Sequence, residues 1–344
     1  RSDLFEYFIY KNLELEDKRL NQHKKDIIKK FLEKLALVME IYQTNVLTTD
    51  ELMTVLDKLD TDIKSAFSSQ VPLEVFYEKG LLKFRADKQT IEFHNTEFQE
   101  YLAAKEISNS VDPNRLAFDL AVTGELQEIH PSWNNTLTFL IDIRPEIAEH
   151  ILDFIKLNSH DRAIDEGFFK FITKINATSL PDGIRRKVFT DILDYHQTTL
   201  QWIPGPIAEN LSYYYDDSLY PQLTQYTERK SFNHETQRFV QLGNVTYIAA
   251  GLLKNGHLQS PKQKAYWRAK LLAYAQDEND NGVLQRHAFD ALESLGDPSV
   301  IDELSDKALS HGDELVGRGF VTMCTELDPN HPKSVSYFVK GMGH

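Results

Sequence analysis

The chain of 344 residues contains a single cysteine, Cys324. One cysteine excludes an internal disulfide and any metal site that needs several thiolates. Cys324 stands among Phe320, Val321 and Met323 at helical spacing. We therefore expect a buried structural thiol rather than a nucleophile.

Long hydrophobic runs are also missing from the sequence. No stretch reaches the roughly 18 consecutive apolar residues that a membrane-spanning helix needs. The chain begins Arg1-Ser2-Asp3, with no initiator methionine and no apolar leader of the signal-peptide type. We interpret it as a piece of a longer, cytoplasmic polypeptide with no membrane segment.

Several motifs that carry chemistry are absent. The sequence has no Gly-x-x-x-x-Gly-Lys-Ser/Thr loop and no Gly-x-Ser-x-Gly elbow. His234-Glu235 lacks the second histidine of a zinc-protease helix, because position 238 is Arg238. The acidic run Asp277–Gly282 begins like a calcium loop, but Ala288 stands where a bidentate glutamate is needed. We predict no catalytic residue and no metal site, so the chain alone is not expected to be an enzyme.

The sequence has fewer basic than acidic residues. The chain has 38 basic and 52 acidic residues, which gives a net charge of −14. An acidic surface repels phosphate backbones, so nucleic acid is not an expected partner.

The stretch from Ile91 to Ala104 has the pattern of a short strand followed by a helix. Ile91 and Phe93 alternate with polar residues, as in a half-buried strand. His94 then falls at the strand end, two residues before a helix N-terminus, where the backbone favours anions.

The helix of this stretch shows two sequence signals. Thr96 followed by Gln99 predicts a capping box, in which each side chain satisfies a backbone donor. Phe98, Tyr101 and Leu102 are spaced by three and four residues, which predicts an amphipathic helix with one apolar face.

The residues before this corner predict three more helices. Lys24–Tyr42 has one wide apolar face. Thr48 and Glu51 predict a capping box at the start of the next helix. A third helix, Leu73–Lys79, follows Pro72 and ends at Gly80.

Two strands, Leu81–Arg85 and Thr90–His94, are predicted to pair as a hairpin. Three helices, a hairpin wing and a following helix predict a winged-helix domain over residues 23–110, after a helical segment at 1–22. Its third helix carries Glu74, Glu78 and Lys79 and no side chain suited to reading a base edge, which argues against DNA binding.

From residue 111 to residue 344 we predict helices separated by Pro, Gly, Asn and Asp. The clearest pair is Val283–Leu295 and a partner helix from Val300 to Leu309, joined by Gly296-Asp297-Pro298. The run from Ala288 to Pro298 resembles the HEAT repeat pattern. The predicted fold is therefore mostly α, a winged-helix domain followed by a HEAT-like α-solenoid.

The string Phe93-His94 followed by Phe98-Gln99-Glu100-Tyr101-Leu102-Ala103-Ala104 resembles the winged-helix segment of NACHT-type signalling ATPases of the STAND class. The resemblance implies that His94 contacts the β-phosphate of ADP in the full-length protein. It also implies that ATP or ADP with magnesium binds to an upstream nucleotide-binding domain of the same polypeptide, and that this chain alone binds no cofactor.

An aromatic-rich stretch near residues 200–232 is open to two interpretations. If exposed, its rings would suit a protein-binding hot spot. If buried, they are solenoid core, which is the commoner case. The candidate partner-binding residues are Trp202, Tyr213, Tyr214 and Tyr215.

The resemblance implies a regulatory and ligand-sensing portion of a NACHT ATPase. Bacterial members of this class commonly act against phage, so the expected ligand is a protein, such as one from a phage, and oligomerisation is expected only in the activated full-length protein. The alternative is a HEAT-like scaffold that assembles partners without a nucleotide switch. A DNA-binding regulator is a third, weaker hypothesis.

Overall fold

The chain is mostly α-helical and carries one small antiparallel sheet. A computed structural model describes residues 2–15, 21–58, 76, 80–84, 90–122, 124, 127–158, 162–277 and 282–341. The chain divides into two units, Arg1–Phe171 and Ile172–His344. The sequence-based division at residue 110 falls inside the first unit. None of the described helices is both long enough and apolar enough to cross a membrane.

The first unit combines helices with the sheet. Its described helices are α1 (Ser2–Ile9), α2 (Gln22–Ile41), α3 (Thr49–Lys58), α4 (Thr96–Ser108), α5 (Pro113–Ala121), α6 (Asn134–Ile143), α7 (Glu146–Asn158) and α8 (Arg162–Ile172), and a π-helical turn, Tyr10–Leu15, follows α1. Its described strands are β1 (Val46–Thr48), β2 (Leu82–Phe84) and β3 (Thr90–Phe93).

The local signals at α2 and α3 are confirmed. Helix α2 begins at Gln22, where the Asn21 side chain caps it by accepting a hydrogen bond from the Lys24 amide over 2.9 Å. At α3, the Thr48 amide donates to the Glu51 carboxylate over 2.7 Å, and the Glu51 amide donates to the Thr48 hydroxyl over 3.2 Å. This reciprocal pair is the predicted capping box.

The sheet has three strands rather than the predicted two. The predicted hairpin is present, with β2 and β3 antiparallel and Leu82 opposite Phe93. Strand β1 pairs with the other edge of β3, with Leu47 opposite Ile91, so β3 is central. Sequence analysis missed β1 because three residues are too few to show alternation.

Two predicted features lie outside the described residues. The helix Leu73–Lys79, with Glu74, Glu78 and Lys79, is described only at Phe76, which is buried and meets the Phe31 ring with centroids 5.2 Å apart. Most of the acidic loop between Asp277 and Gly282 is likewise outside.

The described residues of the second unit form helices joined by turns and loops. Its helices are α9 (Asp182–Thr199), α10 (Gly205–Leu211), α11 (Tyr220–Thr224), α12 (Glu235–Lys254), α13 (Pro261–Ala275), α14 (Val283–Leu295), α15 (Val300–Glu303), α16 (Glu314–Leu327) and α17 (Pro332–Gly341). Helix α14 packs against α12, α13 and α16, and α16 packs against α17. No repeat or solenoid is identified in the part of the chain that the structure describes.

The HEAT-like segment differs from its prediction in the second helix. Helix α14 spans the predicted residues and ends at Gly296, whose φ of +70° is left-handed. The partner helix is short: α15 ends at Glu303 because Leu304 adopts an extended conformation, and a 3-10 turn follows at Asp306–Ser310. At the joint between the two helices, the Asp297 carboxylate accepts hydrogen bonds from the Ser299 amide and the Arg268 guanidinium.

Replacing Gly296 should destabilise the second unit through the backbone alone. A Cβ at this position would meet no atom within 4 Å, so only the positive φ penalises a side chain. We expect Gly296→Ala to lower the free energy of unfolding by about 1 kcal/mol, and Gly296→Asn by less, because Asn tolerates this conformation better. Urea unfolding of the three proteins measures the difference, and equal stability would contradict the left-handed assignment.

Candidate functional site

His94 lies at the corner between the central strand and the helix that follows. Strand β3 ends at Phe93, and α4 begins at Thr96 with Asn95 as its cap. The Asn95 side chain accepts a hydrogen bond from the Glu97 amide over 2.7 Å. The predicted capping box of Thr96 and Gln99 is wrong, because Thr96 is already helical and Gln99 has its partners in the interior.

The corner is accessible from outside the first unit. Because Val46 pairs with Glu92 and Leu82 pairs with Phe93, His94 lies at the end of the sheet where β1 and β2 begin. The His94 side chain is exposed, and no described residue forms a hydrogen bond with it. An anion at this point could meet the imidazole and the first amides of α4 together.

Helix α4 is buried on all sides rather than on one face. Every residue from Phe98 to Ala104 is buried, including the polar Gln99 and Glu100. Helices α2 and α6 pack along α4, and α1 also contacts it. The predicted helix is therefore confirmed, and the prediction that it buries only one face is wrong. Its polar side chains are internal because neighbouring helices supply them with hydrogen bonds.

Aromatic rings fill the contact between α1, α4 and α6. The Phe5 centroid lies 5.8 Å from that of Phe98, 5.4 Å from that of Tyr101 and 5.6 Å from that of Phe139. Rings at these separations attract one another beyond the area that they bury. The Tyr101 hydroxyl also donates to the Glu6 carboxylate, which ties α4 to α1 by a polar contact.

A buried carboxylate joins three elements of the first unit. Glu40, in the last turn of α2, accepts a hydrogen bond from Gln99 Nε2 over 2.8 Å and one from the Thr136 hydroxyl over 3.4 Å. Gln99 Nε2 also lies 3.3 Å from the Thr44 carbonyl oxygen. Burial raises the pKa of Glu40, and these two hydrogen bonds oppose the rise.

A second buried carboxylate lies two turns earlier on α2. Burial, followed by repulsion from Glu106, raises the pKa of Glu33 to about 7, against the lowering effects of Asn109 and of two lysines. Lys34 pairs with Glu106 over 3.0 Å. Glu33 therefore changes its charge near neutral pH, although nothing places a substrate beside it.

The described residues include potential metal ligands and the single thiol. None of their His, Cys, Asp and Glu side chains form a group of three or more that could hold a metal. Cys324 is buried, as predicted, and burial raises the pKa of its thiol to about 11, which keeps it protonated near neutral pH. At the corner, His94 and the first amides of α4 are suited to binding an anion.

The candidate partner-binding aromatics differ in exposure. Tyr213 is exposed, whereas Tyr214 and Tyr215 are buried. The Tyr214 hydroxyl donates to the Ile172 carbonyl over 2.6 Å and lies 2.8 Å from the Ile175 carbonyl, so this side chain holds the first backbone carbonyls of the second unit. A partner could reach Tyr213 on the surface but not its two buried neighbours.

Trp202 is half-buried and packs over α12. Its ring lies so close to Gly243 that a Cβ there would overlap it. Asn244 fixes the same segment, because its side chain accepts from the Ile203 amide and donates to the Gln201 carbonyl, each over 2.9 Å. Trp202 thus has a packing role on its inner side.

A basic cavity in the second unit was not predicted from the sequence. Arg229, Lys230 and Lys270 line this cavity, which has a volume of about 590 Å³. Lys270 stands far from Arg229 and Lys230 in the sequence, so no local motif indicates the cavity. Arg268, two residues before Lys270, does not line it and pairs with Asp297 over 2.6 Å.

Replacing Glu33 should change how stability depends on pH. Its folded pKa of about 7 exceeds the ordinary value of 4.5, so the native state retains a proton that the unfolded chain releases between these values. The stabilisation that Glu33 contributes is fully present below pH 4.5 and is lost as the pH rises through 7. The free energy of unfolding falls by up to about 3 kcal/mol over this range. Glu33→Gln should lessen that loss and be more stable than wild type at pH 8.

Urea unfolding at pH 5, 6, 7 and 8 measures this effect. Glu146→Gln serves as the control, because Glu146 is exposed and its ion pair with Arg144 contributes little. If Glu33→Gln and wild type lose stability in parallel across this range, Glu33 is not held protonated.

Replacing Gly243 should show whether Trp202 is a packing residue. Alanine favours a helix over glycine by about 1 kcal/mol, yet its methyl group would overlap the Trp202 ring. We expect Gly243→Ala to lower the free energy of unfolding by about 1–3 kcal/mol.

Gly167→Ala is the control. A Cβ at Gly167, on α8, would meet no atom within 4 Å, so this substitution should raise the free energy of unfolding. Adding Trp202→Leu to Gly243→Ala should recover stability, and a Gly243→Ala protein as stable as Gly167→Ala would refute this packing.

Comparison with known proteins provides no relative for this chain: no family model, no curated protein and no solved structure matches it. The resemblance in Phe93–Ala104 therefore stays a prediction from the sequence.

Proposed function

We propose that this chain is the winged-helix and ligand-sensing part of a cytoplasmic NACHT-type ATPase. In this proposal a nucleotide-binding core, with its P-loop and magnesium, lies in another segment of the same polypeptide. His94 contacts the β-phosphate of ADP bound to that core and keeps the protein in its resting state until a ligand binds to the helices of the second unit.

One observation carries the proposal. Of the residues that match the NACHT string, Phe93 and every position from Phe98 to Ala104 are buried, and His94 alone is exposed. Packing accounts for the buried residues. It does not account for an exposed histidine at a strand end beside a helix N-terminus, whereas a phosphate ligand would.

The arrangement of the first unit supports a winged helix. Helix α2, strand β1 and helix α3 precede strands β2 and β3 in the chain, the sheet order is β1-β3-β2, and α4 follows the central strand after two residues. Exposed Ile41 and Tyr42, at the end of α2, would suit a contact with the nucleotide-binding core.

The second unit supports a sensor role more loosely. Its helices pack mainly on helices nearby in the sequence, which is the organisation of repeat arrays such as HEAT solenoids. Tyr213 is an exposed aromatic suited to a protein ligand, and a phage protein is the ligand that the resemblance suggests.

The test is nucleotide retention by the full-length polypeptide. We expect His94→Ala to retain at least tenfold less ADP after gel filtration and to show higher basal activity, because it loses a charge-assisted hydrogen bond to phosphate. His23→Ala, which removes an exposed histidine from α2, should behave as wild type.

Two outcomes would reject the proposal. The first is a gene whose product carries no P-loop outside this chain, which would favour a HEAT-like scaffold without a nucleotide switch. The second is equal ADP retention and equal basal activity in wild type and His94→Ala.

A further inference from the structure

The lining of the basic cavity in the second unit has a cationic part and an apolar part. Its volume of about 590 Å³ falls within the usual range of small-molecule sites, about 300–1,000 Å³. One part of the lining is cationic, namely Arg229, Lys230, Arg238 and Lys270. Another part is apolar or aromatic, namely Phe232, Leu242, Ala273 and Tyr274.

The cavity is positive although the chain is acidic. Among the described residues, Glu235 is the one carboxylate in its lining, and Asp277 pairs with Arg238 from outside. These four positive and two negative described side chains leave two positive charges, in a chain whose net charge is −14. Local positive charge on an otherwise acidic chain attracts anions to the cavity.

A hydrogen bond and an aromatic contact hold the Arg229 side chain in place. Its Nη1 donates to Gln241 Oε1 over 2.9 Å, and its guanidinium lies 5.3 Å from the Phe232 ring centroid. Gln241 is itself buried and donates to the Gln197 carbonyl over 2.9 Å. One hydrogen bond uses one of five guanidinium donors, so others remain for a ligand.

Lys270 reaches the same cavity from α13. Its ammonium donates to the Thr227 carbonyl over 2.8 Å and lies 5.6 Å from the Tyr266 ring centroid. A lysine ammonium has three donors, so this contact orients the ammonium and leaves other donors for a ligand. Two fixed cations from separate segments, with Lys230 at the rim, match the several oxygens of a phosphate group.

We propose that this cavity binds a phosphorylated small molecule with an aromatic body, of the nucleotide class. The phosphates contact Arg229, Lys230 and Lys270, and the aromatic body lies against Phe232 and Tyr274. This site is distinct from the His94 corner and does not rest on the proposed ATPase switch.

Calorimetric titration of this chain with ATP, sodium tripolyphosphate and adenosine tests the proposal. We expect ATP to bind more tightly than tripolyphosphate, and adenosine to show no measurable binding. Arg229→Gln and Lys270→Met should each weaken ATP binding at least tenfold. Glu235→Gln should strengthen it several-fold, because it removes the one carboxylate of the lining, and general damage to the fold would not do so.

Two variants serve as matched controls, and thermal unfolding confirms that all proteins are folded. Lys262→Met removes the same charge from the same helix about 12 Å away, beyond the screening length at physiological salt, and should bind ATP as wild type does. His94→Ala should also bind as wild type, which separates this site from the corner. Absence of ATP binding, equal loss with Lys262→Met, or equal affinity for tripolyphosphate and ATP would overturn the proposal.

Discussion

Because every side chain from Phe98 to Ala104 is buried, α4 needs a neighbour on each of its sides. Helices α1, α2 and α6 supply them, and the first unit is arranged around this requirement. Two residues connect the buried helix to the central strand of the sheet, so His94 has rigid elements before and after it. An exposed side chain held in this way can meet a ligand with little loss of conformational freedom.

Features that depend on neighbours in the sequence could be predicted. The capping box at Thr48 and Glu51 and the helix Val283–Leu295 follow from local sequence signals, and the structure has both. Gln99 could not be placed in this way. Its spacing from Thr96 suits a cap, but its partner, Glu40, lies 59 residues away, and the buried contact replaced the local one.

The candidate sites show the same limit. His94 was found because it belongs to a recognisable string, whereas the basic cavity joins Arg229 and Lys270, which no pattern connects. Three consecutive tyrosines at 213–215 differ in exposure, because the 3-10 turn Ser212–Tyr214 directs Tyr213 outwards and Tyr214 into the core. Sequence alone treats these three residues as equivalent.

The carboxylate of Glu40 limits which substitutions the first unit can accept. An apolar residue at position 40 would remove this acceptor from the Thr136 hydroxyl and from Gln99, whose Nε2 would keep only its contact with the Thr44 carbonyl. A buried polar group that loses its partner costs about 1–3 kcal/mol. An apolar replacement of Gln99 alone would remove a hydrogen bond from the Glu40 carboxylate and raise the free-energy cost of burying that carboxylate. Stepwise divergence at any of the three positions therefore passes through a less stable intermediate, and the three residues are expected to change together across related sequences.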